Sequence, residues 1–294
     1  MTHPLTQREI RNLLAEAGLV PRKRLGQHFL IDGNLLAVLL READLGPADT
    51  VLEVGAGLGN LTELLLAAAG WVVAVEVDAN LARLAARRLA HAPNLDLVVA
   101  DALADKHHLS PEVRAGLEAR PPARGGRLKL VANLPYAIAT PLVVDLVLQE
   151  PRPDLLVFTV QEEVARRLAA APGTAAYGPV SVMVQAAAEV EVLRRVSAGV
   201  FWPRPGVGSA LVRMRPSPAR RGRVADFGTL RRTVEGLFRH RRKRAPRSLA
   251  LADPERRSVE TWKARLQSAG LDPKARGETY TVDEIIRLAR AAAG

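Results

Sequence analysis

The stretch TVLEVGAGLGN, residues 50–60, decides the fold because a strand pattern runs into a glycine turn and then into a helix. Its first five residues are mostly apolar or β-branched, which is typical of a buried strand. The glycines at 55, 57 and 59 permit a tight turn and let a ligand approach the backbone, while the following helix offers free N–H groups. Alone, this turn is a weak signal. Its sixth position, Asn60, departs from the G-x-G-x-x-G spacing and so disfavours a dinucleotide.

Short apolar strands alternate with amphipathic helices on both sides of this turn. The predicted strands are residues 50–57 (turn included), 71–78, 95–101, 127–135 and 154–161, and the predicted helices are residues 60–70, 79–92 and 139–149. Strands separated by helices indicate a parallel sheet covered on both faces, with any ligand at the carboxyl ends of the strands. Residues 106–127 form a long connection, to which we assign no role beyond a surface insertion.

The chain is predicted to split near residue 216 into an α/β domain, residues 1–216, and a small all-helical domain, residues 217–294. The stretch SPARRGR after residue 216 has the composition of a linker. Helical spacing follows it in residues 227–242, 258–270 and 281–293. The last of these opens with Thr281 and Glu284 in capping-box register.

Bulk composition excludes several classes of protein. The 294 residues, 48% of them apolar, suffice for a full core, and the absence of cysteine excludes disulfides, Cys-type zinc sites and thiol nucleophiles. The six histidines are scattered, so no metal site is expected. The longest apolar run is about 12 residues, against the roughly 20 of a bilayer crossing, and no secretory signal is visible. We therefore expect a cytoplasmic protein that does not enter a membrane.

The net charge of +11 is concentrated in one segment. Residues 213–257 hold fifteen Lys and Arg against four Asp and Glu, so the rest of the chain is neutral. A block of this kind favours a surface that binds a polyanion, most often nucleic acid, over a merely solvated face.

Two carboxylates follow successive predicted strands. Glu76 suits acceptance from the two hydroxyls of a ribose, and Asp101 suits acceptance from an adenine amino group. The alternatives are a solvated strand end for Glu76 and a turn cap for Asp101. Together with Gly55 they outline a site for a nucleoside whose reactive part is not a pyrophosphate. S-adenosylmethionine fits that description better than NAD or ATP, and no Walker lysine is present.

The stretch VANLPY, residues 131–136, leaves its strand through polar and aromatic residues. An adenine amine is a poor nucleophile, and acceptors at the Asn133 side chain and the Leu134 carbonyl would make its nitrogen more tetrahedral. Pro135 would hold these acceptors still, and Tyr136 offers a ring on which an extruded base can stack. The alternative is an ordinary strand-to-helix turn with a core tyrosine.

These motifs resemble the ribosomal RNA adenine N6-dimethyltransferases, in particular the small-subunit (16S) type represented by KsgA. The resemblance extends along nearly the whole chain. Its motifs are RLGQHFLID (24–32), EVGAGLGNLT (53–62), VEVD (75–78), NLPY (133–136), YGPVSVMVQ (177–185), FWPRPGVGSALVRM (201–214) and FRHRRKRAPRSL (238–249).

The resemblance implies a Rossmann-like class I S-adenosylmethionine-dependent methyltransferase domain followed by a helical rRNA-binding domain. It implies cofactor contacts from Gln27, His28, Leu30, Gly55, Glu76, Asp101 and Asn133, and a catalytic role for Asn133, Leu134, Pro135 and Tyr136. The product would be N6,N6-dimethyladenosine at two adjacent adenosines near the 3′ end of 16S rRNA, made by a monomer acting on assembling small subunits. The RNA-binding residues would be Arg231, Arg232, Arg239, Arg241, Arg242, Lys243, Arg244 and Arg247.

The chain departs from the family pattern at Ala137 and Ala139, where polar residues are usual, and at Pro246, which is expected to end the basic helix early. Two alternative functions stay open. One is an RNA-binding ribosome-assembly factor that makes little use of its chemistry. The other is a related enzyme, such as an adenine methylase of large-subunit rRNA of the antibiotic-resistance type or a DNA adenine methylase.

Overall fold

The computed structural model describes residues 4–22, 25–105 and 108–293. Arg24, which begins the motif RLGQHFLID, and Lys106, which begins the predicted insertion, lie outside these ranges. The chain divides into two compact units. The first comprises Met1–Ala165 and Glu191–Arg215, and the second comprises Arg166–Val190 and Pro216–Gly294.

A mixed sheet forms the centre of the first unit. The strands are β1 (Phe29–Leu30), β2 (Thr50–Val54), β3 (Trp71–Val75), β4 (Leu95–Val98), β5 (Leu128–Asn133), β6 (Leu155–Gln161), β7 (Ala188–Val196), β8 (Phe201–Trp202) and β9 (Ser209–Pro216). β1 pairs with β8, and the other seven form one sheet in the order β4-β3-β2-β5-β6-β9-β7. Strands β2 to β6 run parallel, as predicted, whereas β9 is antiparallel to β6. Neither β7 nor β9 is among the predicted strands.

Helices cover both faces of this sheet. The helices up to residue 168 are α1 (Gln7–Glu16), α2 (Gly33–Ala43), α3 (Asn60–Ala68), α4 (Ala79–Arg88), α5 (Pro111–Ala119), α6 (Ala139–Leu148) and α7 (Glu162–Leu168). Of these, α2, α3 and α5 pack on strands of the sheet. Val72 and Ala74 of β3 join a core cluster with α2 and α3. Val73, which points to the opposite face, faces α5. The predicted helices at α3, α4 and α6 are confirmed.

Helix α5 corrects the expectation that residues 106–127 are only a surface insertion. The Ser110 hydroxyl accepts a hydrogen bond from the Val113 amide at 3.4 Å and begins the helix. A Cβ on Gly116 would lie 3.2 Å from Val73, so the missing side chain lets α5 approach β3 closely. The segment is therefore a layer of the fold.

The second unit is built from helices. They are α8 (Pro179–Gln185), α9 (Pro218–Arg221), α10 (Phe227–Arg239), α11 (Ala245–Ala252), α12 (Val259–Ser268) and α13 (Val282–Ala293). Its second piece begins at Pro216, close to the predicted boundary. Residues 166–190, which the sequence placed in the first domain, also belong here. The reason is that α8 packs on α10 and the Tyr177 hydroxyl donates to the carbonyl of Tyr280 at 3.0 Å.

Pro246 does not end the basic helix, so that expectation is wrong. Helix α10 already ends at Arg239, and Pro246 lies in the first turn of α11. Proline is tolerated there because the first amides of a helix have no partner within it. The predicted capping box is confirmed, since the Glu284 amide donates to Thr281 Oγ1 at 3.3 Å and the Thr281 amide to Glu284 Oε2 at 2.8 Å. Of the helices in the described ranges, none combines the length and apolarity of a membrane span.

Candidate active site

A cavity of about 270 Å³ lies at the carboxyl ends of β2, β3 and β5, the edge at which the sequence predicts a ligand. Most of the residues that line it belong to residues 25–30, to the glycine turn, to the segments that follow β3 and β4, and to the exit from β5. The predicted site residues that line it are Gln27, His28, Leu30, Gly55, Glu76, Asp101, Asn133 and Pro135.

The glycine turn lies directly against the exit from β5. Gly55 and Gly57 have φ angles of 87° and 58°, in the left-handed region that favours glycine. A Cβ on Gly55 would lie 2.9 Å from Cγ of Pro135, and one on Gly57 would lie 3.2 Å from the ring of Phe29. The missing side chains therefore let the turn pack directly against Pro135 and Phe29, and the backbone of both glycines lines the cavity.

Glu76 follows β3 and is buried beside the cavity. Its Oε2 accepts from the Gly57 amide at 2.8 Å and its Oε1 from the Asp78 amide at 2.9 Å. Burial raises the pKa of this carboxyl, and the two amides act in the opposite direction by stabilising its charged form. Because each oxygen keeps a free acceptor position, the carboxylate can receive two further donors.

Glu53, the last polar residue before the turn, is a cavity residue that the sequence analysis missed. Its side chain is buried, and its Oε2 has no hydrogen-bond partner within the described chain. Burial, with a contribution from the charge of Glu76, raises its pKa to about 8. Glu53 is therefore mostly neutral at pH 7. Its place in EVGAGLGN was visible in the sequence, but its burial was not.

Asp101 is exposed and lines the cavity three residues beyond β4. Its Oδ1 accepts from the Leu103 amide at 3.0 Å. The residue thus caps a turn, as the alternative interpretation has it, and also borders the cavity.

Asn133 is the last residue of β5, and both ends of its amide are bonded. Nδ2 donates to the carbonyl of His28 at 2.9 Å, and Oδ1 accepts from the Thr159 hydroxyl at 2.6 Å. Since a carbonyl can only accept, the bond to His28 fixes which end of the amide is nitrogen. No local pattern singles out Thr159, which looks like any other strand residue.

The other residues of NLPY have different surroundings. Leu134 is buried, and Pro135 packs on the glycine turn. Tyr136 is half-buried and is not among the residues that line the cavity. Its hydroxyl lies 2.6 Å from the hydroxyl of Ser209, and its ring centroid lies 5.5 Å from that of His28. Burial raises the pKa of the Tyr136 phenol.

The two alanines that depart from the family pattern differ in position. Ala137 is exposed and lines the cavity, whereas Ala139 is completely buried at the start of α6. Only Ala137 can therefore affect the cavity directly, and it supplies no polar side chain there.

Two amide side chains hold the N-terminal segments beside the cavity. Asn60 accepts from the Leu5 amide at 2.6 Å and donates to the carbonyl of Leu30 at 2.8 Å. Gln27 accepts from the Arg22 amide at 2.7 Å and donates to Asp78 at 3.2 Å. Gln27 therefore lines the cavity with its amide already bonded on both sides, and Asn60 has a role that its turn position alone did not reveal.

The eight predicted RNA-binding residues lie in the second unit, on α10, on α11 and between them. Arg239, Arg242, Lys243, Arg244 and Arg247 are exposed. Arg241 differs, because it pairs with Glu278 and donates to the carbonyl of Thr174 at 3.0 Å. Arg232, also exposed, donates to Thr229 at 2.8 Å, and Arg231 is half-buried. In the described part of the chain, no group of three or more His, Asp or Glu side chains is arranged to hold a metal ion.

Comparison with known proteins gives concordant results. Residues 19–289 match the family described as ribosomal RNA adenine dimethylase. The chain is 43% identical to the ribosomal RNA small subunit methyltransferase A of Pelotomaculum thermopropionicum, over 95% of this chain and 94% of that protein.

Two solved structures are similar in fold. A dimethyladenosine transferase from Plasmodium falciparum has a TM-score of 0.74 at 21% identity, covering 89% of this chain and 96% of that one. The 23S rRNA methyltransferase ErmE has a TM-score of 0.60 at 26% identity, covering 90% of this chain and 100% of that one. Together with the sheet described above, these similarities confirm the predicted Rossmann-like class I fold and the predicted small helical domain.

Proposed function

Because this chain belongs to the ribosomal RNA adenine dimethylase family, we propose that it transfers methyl groups from S-adenosylmethionine to the N6 amines of two adjacent adenosines near the 3′ end of 16S rRNA. The product is N6,N6-dimethyladenosine. The observation that carries the proposal is the cavity in which the glycine turn, Glu76 and Asn133 meet at one edge of the sheet. The 43% identity to a small-subunit enzyme supports the choice of RNA.

The cavity fits S-adenosylmethionine. Gly55 would border the methionine part with its backbone, Glu76 has acceptor positions for the ribose hydroxyls, and Asp101 would border the adenine. Gln27, His28 and Leu30 would close the cavity from the N-terminal side. Bound S-adenosylmethionine supplies a methyl group on a positively charged sulfur, which is a strong electrophile.

The residues of NLPY would position the target amine. The free lone pair of Asn133 Oδ1 and the carbonyl of Leu134 accept its two hydrogens, which directs the nitrogen lone pair away from the adenine ring. No strong base is required, because the electrophile is already reactive and the amine can lose its proton to solvent after the transfer. Alignment therefore makes the main contribution to the rate. Tyr136 offers a ring for the extruded base, and stacking of this kind contributes about 1 to 3 kcal/mol per base.

The second unit would hold the rRNA. Its exposed basic residues on α10, on α11 and between them can bind the phosphates that flank the target, and such contacts supply binding free energy for unstacking a base. We expect the protein to act as a monomer in the cytoplasm, on small subunits during their assembly, since that is where its substrate is made.

The reaction is tested by incubating the protein with labelled S-adenosylmethionine and small subunits that lack the modification, then digesting the rRNA. We expect label in N6,N6-dimethyladenosine. Label found only in large-subunit RNA or in DNA would instead identify one of the alternative enzymes. Tight subunit binding without any methylation would favour an assembly factor.

The variant Asn133→Ala tests the role of this side chain in the same assay. It should bind S-adenosylmethionine nearly as well as the wild type in calorimetry, since Glu76 and the glycine turn are intact. Its turnover should fall roughly a hundredfold, because alignment of the amine is lost. Near-normal turnover would remove Asn133 from the reaction centre.

A further inference from the structure

Thr159 lies immediately behind the reaction centre, on the strand next to the one that carries Asn133. Strands β5 and β6 are parallel neighbours, and Asn133 is the register partner of Thr159. The Thr159 side chain is completely buried, and it does not line the cavity. It therefore contacts Asn133 without being able to contact a ligand in that cavity.

Two atoms of Thr159 hold the exit from β5. Its hydroxyl donates to Oδ1 of Asn133 at 2.6 Å, and its carbonyl accepts from the Leu134 amide at 3.2 Å. The carbonyl bond belongs to the backbone and persists whatever side chain stands at position 159. Only the hydroxyl bond depends on the threonine, so the two contributions can be separated by substitution.

The hydroxyl bond matters because the terminal torsion of an asparagine is soft. Rotation about this sp³–sp² bond has broad minima, so one bond from Nδ2 to the His28 carbonyl leaves the amide plane free to rock. The second bond, at the opposite end of the amide, holds the plane. It uses one lone pair of Oδ1 and leaves the other for an incoming donor.

We propose that Thr159 is a positioning residue for the methyl transfer: its hydroxyl fixes the amide plane of Asn133, so that the free lone pair of Oδ1 points at the target amine. The inference rests on the proposed function and adds a residue to it. Thr159 does not touch the reacting atoms and acts through Asn133 alone.

The test compares Thr159→Val, which keeps the branched shape of the side chain and removes the donor, with Thr159→Ser, which keeps the donor. Valine suits a buried strand, so the fold should persist, as a thermal melt would verify. For Thr159→Val we expect kcat to fall roughly tenfold, the effect of one lost net hydrogen bond. The KM for S-adenosylmethionine and the Kd measured by calorimetry should stay near the wild-type values. Thr159→Ser should recover most of kcat.

A second measurement does not depend on catalysis. In the ¹⁵N NMR spectrum of the protein alone, the Asn133 side-chain amide should shift and exchange faster with water in Thr159→Val than in Thr159→Ser. Unchanged kcat and an unchanged amide signal in Thr159→Val would overturn the inference, as would equal losses of kcat in both variants. If the wild-type protein methylates no small-subunit adenine, the proposed function fails instead, and the amide signal still reports whether Thr159 orients Asn133.

Discussion

Gly55 and Pro135 approach each other so closely that a Cβ on Gly55 would lie 2.9 Å from Cγ of the proline ring. This contact joins the glycine turn to the exit from β5. The shape of the cavity and the position of Asn133 and Leu134 at the exit from β5 therefore depend on one another.

Replacing Gly55 by alanine should therefore weaken both folding and cofactor binding. In this variant the alanine must adopt a φ angle of 87°, and its Cβ also displaces the ring of Pro135. The matched control is Gly125→Ala, which has φ 83° with open space around the new Cβ. We expect the control to lose about 1 kcal/mol of unfolding free energy from strain alone. Gly55→Ala should lose more and should also bind S-adenosylmethionine more weakly in calorimetry. Equal behaviour of the two variants would mean that the contact with Pro135 is unimportant.

The hydrogen bond between Tyr136 and Ser209 should hold the tyrosine ring in place for stacking. Ser209 is completely buried, and its Oγ lies 2.6 Å from the tyrosine hydroxyl. Ser209→Ala and Tyr136→Phe each remove one side of this bond and keep the ring. We expect each to lower kcat a few-fold, as the loss of one net hydrogen bond implies. The double variant should be no worse than either single one, because both remove the same interaction. Additive losses would show that the two hydroxyls act separately.

Glu53 should make the folded state less stable as the pH rises toward 8. Its pKa is about 8 in the folded protein, against an ordinary value of 4.5. The folded chain therefore binds more protons than the unfolded chain between these values, and the free energy of unfolding falls across that range. The fall is on the order of a few kcal/mol. Glu53→Gln is neutral at every pH and should lose this dependence. Urea unfolding of both proteins between pH 5 and 8 measures the difference, and parallel curves would contradict the prediction.

Reversing charge at Arg242 and Arg244 should weaken binding to small subunits and reduce its dependence on salt, because fewer counterions are released. Arg87 and Arg124 are the matched control. Both are exposed and neither lines the cavity; Arg87 lies at the end of α4, and Arg124 lies before β5. Both double Glu variants change the net charge equally. Filter binding at several salt concentrations should separate them. If the two double variants weaken binding to the same extent, general electrostatic attraction explains the affinity for small subunits, and the basic segment has no special role.

The strand ends could be predicted because they follow from local pattern. Periodicity located β2 to β6, and the rule that ligands bind at carboxyl ends then brought Glu76, Asp101 and Asn133 to one cavity. In the missed strand β7, AEVEVLRRV, charged residues interrupt the apolar ones and about half of the residues are exposed, so its sequence contains no long apolar run. Its identity as a strand depends on pairing within the sheet.

Some site residues could not be predicted because their roles arise from contacts between distant parts of the chain. Thr159 and Ser209 look like ordinary strand residues, and their hydroxyls reach Asn133 and Tyr136 only because of the register of three strands. A shift of one residue would turn them to the other face of the sheet. The raised pKa of Glu53 likewise depends on burial, which no sequence pattern at that position expresses.

Several bonds that orient the cavity residues end on peptide groups. The Asn133 amide donates to the carbonyl of residue 28, and the Glu76 carboxylate accepts from the amides of residues 57 and 78. Such bonds survive replacement of the partner's side chain as long as the backbone keeps its path. Alanine scanning would therefore underestimate how firmly the reaction centre is held. The alanines at positions 137 and 139, for example, leave the bond between Asn133 and the carbonyl of residue 28 in place.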